Sequence, residues 1–174
     1  MYENNFPTRR YDKTYAFLQK HIDPSESILD LGVSNPFSKI LSEKGYTVSN
    51  TQGEDLDLDF SAVQKTDAQV VTAFEIFEHM LAPLHLLRAI DQPKKLLASV
   101  PLKLWFASAY RSKTDHWDRH YHEFEPWQFD WLMEKSGWEI KDSIQWAHPV
   151  KKIGIRPLLR TFTPRYYLIY AERP

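Results

Sequence analysis

The spacing of apolar positions changes several times along the chain, and each change predicts an element. From the N-terminal end, apolar side chains fall at Tyr11, Tyr15, Phe17, Leu18 and Ile22, close to helical spacing, and Asp23-Pro24 stops the run. Ser27 to Leu31 is a short apolar block that predicts a buried strand. Asn35 to Lys44 returns to helical spacing, with Asn35 placed as N-cap, Pro36 at the first helical position and Gly45 at the end. Tyr46 to Asn50 predicts a second strand. Gln69 to Phe74 (QVVTAF) predicts a third, apolar at nearly every position as befits a strand covered on both faces. Leu81 to Ile90 reads as a helix and Lys95 to Val100 as a strand stopped by Pro101. Pro126 to Ser136 reads as a helix closed by Gly137, followed by two closing strands, Trp138 to Trp146 and Arg165 to Ala171.

Strands alternating with helices, then a β-rich end, predict an α/β sheet that is mainly parallel. Ligands of such sheets sit beyond the carboxyl ends of the strands, near the switch point. Here those ends carry Asp30 to Gly32, Asn50, Phe74-Glu75 and Val100-Pro101. Only Thr51 to Asp67 separate the second strand from QVVTAF, too few for a full helix-strand-helix unit. This part of the sheet is therefore expected to shrink to a DLDLDF segment, in which Asp55, Asp57 and Asp59 share a face if extended.

Composition narrows the class. With 174 residues, the chain fits a single domain spanning 1–174, with residues 1–24 as an N-terminal helix or cap and 25–174 as the core. Hydrophobic content of 43% argues against disorder. A net charge of -1 predicts no global attraction to nucleic acid. The absence of cysteine excludes disulfides and thiolate metal sites. No apolar run approaches the roughly 20 residues of a membrane span, and the polar start is unlike a signal peptide, so the expectation is a cytoplasmic chain. Nothing in the sequence sets the oligomeric state. Lys151, Lys152, Arg156, Arg160, Arg165 and Arg173 face only Glu172. Such a segment can hold phosphate, an anionic lipid head or RNA, and reads first as a solvated hairpin connection.

Four stretches, in order, resemble the class I S-adenosylmethionine-dependent methyltransferases. ILDLG at Ile28 to Gly32 is similar to their first motif, and Asp67 to Pro83 (DAQVVTAFEIFEHMLAP) to their central strand and turn. Leu96 to Leu102 (LLASVPL) resembles the next strand, and His122 to Ile140 the late helix and its Gly-turn. The resemblance implies a Rossmann-like, mainly parallel twisted sheet with a C-terminal antiparallel hairpin, shortened between the second and central strands. It implies S-adenosylmethionine as cofactor and methyl transfer, to a hydroxyl in preference to nitrogen, on a small or medium-sized acceptor.

Cofactor contacts implied in this way are Asp30, Gly32, Ser34, Asn35, Asn50, Asp57, Asp59, Phe74 and Glu75. The loop departs from the family's glycine-rich form: Val33-Ser34-Asn35-Pro36 follows Gly32, and is read as a rebuilt site in which small polar groups and a helix N-terminus face an anionic carboxylate. Asn50 stands where the family has an acid toward the ribose, and Asp57 or Asp59 where an acid meets the adenine amino group. A non-catalytic protein that keeps the fold is the rival from another class.

FEIFEHM places Glu75, Glu78 and His79 on one face of a turn if helical. Imidazole with carboxylates suits a divalent cation. Two metal-linked branches of the superfamily, the small-RNA 2′-O-methyltransferases and the ubiquinone-type O-methyltransferases, carry a similar Glu-x-x-Glu-His. The first also has a His-x-His-x-Phe, matched by His120 to Phe124, which makes His122 a weak fourth ligand candidate and metal-assisted RNA methylation the alternative activity. His116, His120 and His122 lie where an acceptor should approach, and one of them could take the proton from a hydroxyl. Trp105, Phe106, Tyr110, Trp117, Tyr121, Phe124 and Trp127 crowd the same region, with half or more expected in the core.

Overall fold

The structure is a computed structural model that describes residues 8–148 and 153–174. Lys151 and Lys152, part of the basic segment, lie outside the described residues. Six strands form one sheet: β1 (Ile28–Asp30), β2 (Val48–Asn50), β3 (Val70–Phe74), β4 (Lys95–Pro101), β5 (Glu139–Ala147) and β6 (Pro164–Glu172). Their spatial order is β2-β1-β3-β4-β6-β5. The first four are parallel, and β6 runs antiparallel to both β4 and β5. The mainly parallel sheet with a C-terminal antiparallel pair matches the expectation, including the missing strand between β2 and β3.

Helices cover both faces. On one side α1 (Thr8–Leu18) and α2 (Pro36–Glu43) pack through Phe17, Leu18, Phe37 and Leu41 onto Ile28, Val70, Leu97 and Leu168. On the other, α4 (Pro83–Ala89) and α5 (Pro126–Lys135) bring Leu86, Leu87, Phe129 and Met133 against Val71, Leu96, Ala98 and Ile169. Neighbours in sequence, such as Val70 and Val71, serve opposite layers because strand side chains alternate. This is why QVVTAF is continuously apolar.

Two short helices were not expected. α3 (Ser61–Lys65) buries only Val63, and α6 (Ile155–Phe162) buries nothing. The DLDLDF segment is not extended either. Asp55 accepts from Asp57 N at 3.0 Å, and its carbonyl accepts from Leu58 N and Asp59 N, closing a turn that scatters the three carboxylates. The aromatic crowd also corrects the expectation of a half-buried group. Phe124 is buried and Phe106 half-buried, whereas Trp105, Tyr110, Trp117, Tyr121 and Trp127 are exposed. Two of the basic residues serve the fold. Arg165 donates to Leu102 O at 2.7 Å and to Glu123 at 3.0 Å, and Arg173 donates to Leu87 O and Ser136 O, both at 2.8 Å.

Candidate active site

The chain reverses direction across the sheet between β1 and β3, and a cavity of about 440 Å³ opens at their carboxyl ends. That volume suits a small-molecule ligand. Its floor starts at Asp30, the last residue of β1. Asp30 is buried, and accepts from Thr72 Oγ1 at 2.6 Å, Asn50 Nδ2 at 3.0 Å and Asn35 Nδ2 at 3.1 Å. Burial pushes its carboxyl up to about 6, with the three hydrogen bonds pulling the other way. Gly32 follows with φ +113°, a conformation that side chains resist, and a Cβ there would sit 3.4 Å from Ile76 Cδ1. The expected glycine requirement survives at this position.

Asn35 acts as the N-cap of α2. Its Oδ1 accepts from Phe37 N at 2.9 Å and Ser38 N at 3.0 Å, and Ser38 Oγ accepts from Asn35 N in return. The helix's first donors are thus taken up by its own cap, contrary to the expectation that they face a ligand's carboxylate. The guanidinium of Arg10, reaching over from α1, lines the cavity instead and lies 3.5 Å from Glu75 Oε2.

Glu75 adopts φ 59°, the only non-glycine residue with positive φ among those described. Left-handed backbone at such a residue is strained by about 1–3 kcal/mol and clusters at functional sites. Its carboxylate is held by Ser99 Oγ at 2.8 Å, and its amide donates to Ser99 O. Phe74 and Ser34 also line the cavity.

Asn50, Asp57 and Asp59 do not. Asn50 turns inward, donating to Asp30 and to Gly32 O at 3.1 Å. Asp57 accepts from Leu81 N and Ala82 N, both at 2.8 Å, and so holds the turn before α4. Asp59 caps Ser61 at 2.8 Å. Sequence spacing cannot show such engagements, because most of the partners are distant along the chain.

A second group closes the cavity's other end. Glu78, His79 and His120 line it, and each offers an atom within 4.8 Å of the others. Glu78 is 1% exposed, and its Oε2 has no hydrogen-bond partner among the described residues. Burial, reinforced by the charge of Glu75, holds its carboxyl well above the usual range. His79 Nδ1 lies 3.1 Å from Arg119 O, and a carbonyl only accepts, so Nδ1 carries the proton. Its lone pair is then on Nε2, 3.7 Å from Glu78 Oε1. Burial, and next the neighbouring His120, lower the pKa of His79 and keep it neutral.

His120 is oriented likewise: its Nδ1 sits 3.2 Å from Glu123 Oε1. Burial alone would raise the Glu123 carboxyl, but hydrogen bonds from His120 and Arg165 outweigh it and bring the group down to about 2. Ionised Glu123 only accepts, so Nδ1 of His120 carries a proton and, in the neutral imidazole, Nε2 is the acceptor.

The other two histidines fall outside. His122 is half-buried, stacks at 5.4 Å on Phe124, and approaches Leu81 O at 3.4 Å; His116 is exposed, and neither lines the cavity. The cluster therefore joins Glu78, His79 and His120, with Glu75 committed to Ser99 and Arg10 and His122 turned elsewhere.

No protein-family profile matches the chain. No curated protein matches it either. Solved structures do. A 1,6-didemethyltoxoflavin-N1-methyltransferase from Burkholderia thailandensis, with its acceptor and S-adenosylhomocysteine bound, is 16% identical, with 99% of this chain and 83% of that chain covered and a TM-score of 0.65. The magnesium protoporphyrin IX methyltransferase of Synechocystis PCC 6803, with bound S-adenosylhomocysteine, is 11% identical, over 95% of this chain and 82% of that chain, at a TM-score of 0.58. The (4+2)-cyclase SpnF is 12% identical, over 99% and 83%, at 0.62. The chain has the class I S-adenosylmethionine-dependent methyltransferase fold. Fold neighbours with different reactions show that the site, not the fold, must carry the functional argument.

Proposed function

We propose that the protein is an S-adenosylmethionine-dependent methyltransferase acting on a hydroxyl of a small or medium-sized acceptor. The observation that carries this reading is the cavity at the ends of β1 and β3, with opposite charges paired at one end and neutral imidazole nitrogen at the other. Among the described residues Arg10 is the only lysine or arginine lining it. An amino acid moiety brings a carboxylate and an ammonium: Arg10 suits the first, Glu75 and Asp30 the second. Gly32 keeps the backbone approach free of a side chain.

When bound, the cofactor supplies a methyl group on a positively charged sulfur. The protein's part is to align the acceptor oxygen with that methyl and to accept the hydroxyl proton as the bond forms. Nε2 of His79 or His120 suits the second task, since Nδ1 of each is already tied and its tautomer set. Glu78, keeping its own proton, leaves the imidazoles free to act. S-adenosylhomocysteine should raise the melting temperature in a concentration-dependent way. No shift at millimolar ligand would favour a non-catalytic protein with this fold.

One observation favours a second reading. The unpartnered Glu78 Oε2, beside two imidazoles oriented through Nδ1, resembles a ligand set for a divalent cation with its outer hydrogen bonds in place. A cation held there could lower the pKa of an acceptor hydroxyl, as in the metal-assisted alternative, including methylation of RNA. Mn²⁺ titrated into wild type and Glu78→Gln separates the two. Saturable binding lost in the variant supports the cation, and activity indifferent to a chelator removes it.

A further inference from the structure

α6 is the most amphipathic helix of the chain and the least buried. Ile155, Leu158, Leu159 and Phe162 recur at helical spacing on one face, yet Ile155 is 79% exposed, Leu158 60% and Phe162 78%, with Ile153 fully exposed just before them. Scattered exposed apolar residues need no explanation; a contiguous stripe of this kind marks a contact surface. The flanks are basic. Arg156 and Arg160 lie on the helix, Lys151 and Lys152 precede it in sequence, and no Asp or Glu occurs between His148 and Ala171.

The helix packs beside β5 and β6, the antiparallel pair at the edge of the sheet. His148, at the end of the segment leading out of β5, feels the charges of Arg10 and Arg160. Its ring meets Tyr166 edge-on at 5.8 Å, and the Arg10 guanidinium lies 5.7 Å from the same Tyr166 ring. His148 and Tyr166 thus connect the C-terminal hairpin to Arg10, which lines the cavity.

We propose that α6 is a membrane-surface anchor, lying in the interface of an anionic bilayer with its apolar face inserted and its arginines among the lipid headgroups. The charge pattern selects this occupant. Two copies of the chain meeting through α6 would set Arg156 and Arg160 against like charges with no acid to relieve them. RNA would take up the cations and could stack only on Phe162, leaving Ile155, Leu158 and Leu159 without partners. An anionic lipid surface satisfies both faces at once. The surface does not depend on the methyltransferase reading.

The test is co-sedimentation of the whole chain with vesicles of phosphatidylcholine containing phosphatidylglycerol, and with vesicles of phosphatidylcholine alone. Wild type should sediment with the first and stay in solution with the second, and high salt should weaken the binding. Arg156→Ala with Arg160→Ala should lower partitioning at least about tenfold. Leu158→Glu with Phe162→Glu should abolish it, without changing the melting temperature, because both side chains are exposed. The proposal is overturned if wild type ignores anionic vesicles or if either double variant binds like wild type. It is equally overturned if light scattering shows a dimer that Leu158→Glu dissociates, or if RNA binds α6 in preference to vesicles.

Discussion

Asp30 gives the account a quantitative handle, because a carboxyl buried at the base of the cavity must leave its mark on stability. Burial pushes its carboxyl up to about 6 in the folded protein, from an ordinary 3.8. The folded state therefore binds the proton more tightly than the unfolded chain, and stability falls as pH rises through this window. The full difference of about two units is worth about 3 kcal/mol. Between pH of about 5 and about 7.5 the folded group loses most of its proton while the unfolded one is already ionised, a loss of about 1.4 kcal/mol. Asp30→Asn removes the titration. It also turns an amide toward Asn35 Nδ2 and Asn50 Nδ2, so two donors lose their acceptor, at about 1 kcal/mol each. Urea unfolding across this pH range should show the variant clearly less stable than wild type at the acid end, with the gap narrowing by about 1.4 kcal/mol toward the alkaline end. Comparison with the variant cancels the contributions of other groups, such as Glu78 and His79. Parallel pH profiles for the two proteins would refute the burial argument.

Other substitutions test the neighbouring links. Gly32→Ala should destabilise the protein by about 1–3 kcal/mol, read from thermal unfolding, because alanine at φ +113° is strained and its Cβ meets Ile76; an unchanged melting temperature would show that the loop relaxes. Asn35→Ala should cost about 1–2 kcal/mol through loss of the α2 cap, and Asn35→Ser should recover much of it. Arg10→Ala should weaken S-adenosylhomocysteine about tenfold or more by calorimetry, while retained affinity would move the carboxylate elsewhere.

What the sequence revealed followed burial. β1, β3 and β4 are legible because both faces are covered and most of their residues are apolar, and α2 because Asn35, Pro36 and Gly45 punctuate it. α3 escaped notice because five residues with one buried side chain, Val63, leave no period to detect. α6 is not legible because no residue of its apolar stripe is fully buried, and its basic residues read as a hairpin connection. The site was legible to the extent that its residues lie at strand ends. Asp30, Gly32, Ser34, Asn35, Phe74 and Glu75 all reach the cavity. Distant partners decided the rest. Asp57 was claimed by the backbone at residues 81 and 82, and Asn50 by Asp30. The choice between His120 and His122 turned on hydrogen bonds from Tyr121 N and His122 N to Glu78 O, which set how this loop docks beside the cavity. Arg10, the only guanidinium lining the cavity among the described residues, is recognisable in sequence only as part of the N-terminal helix or cap.

The most direct test is a crystal structure grown with S-adenosylhomocysteine. The account predicts the ligand's amino acid end between Arg10 and Glu75, above Gly32, with its sulfur turned toward His79 and His120. A cavity that stays empty at saturating ligand, or a ligand bound away from the ends of β1 and β3, would contradict it.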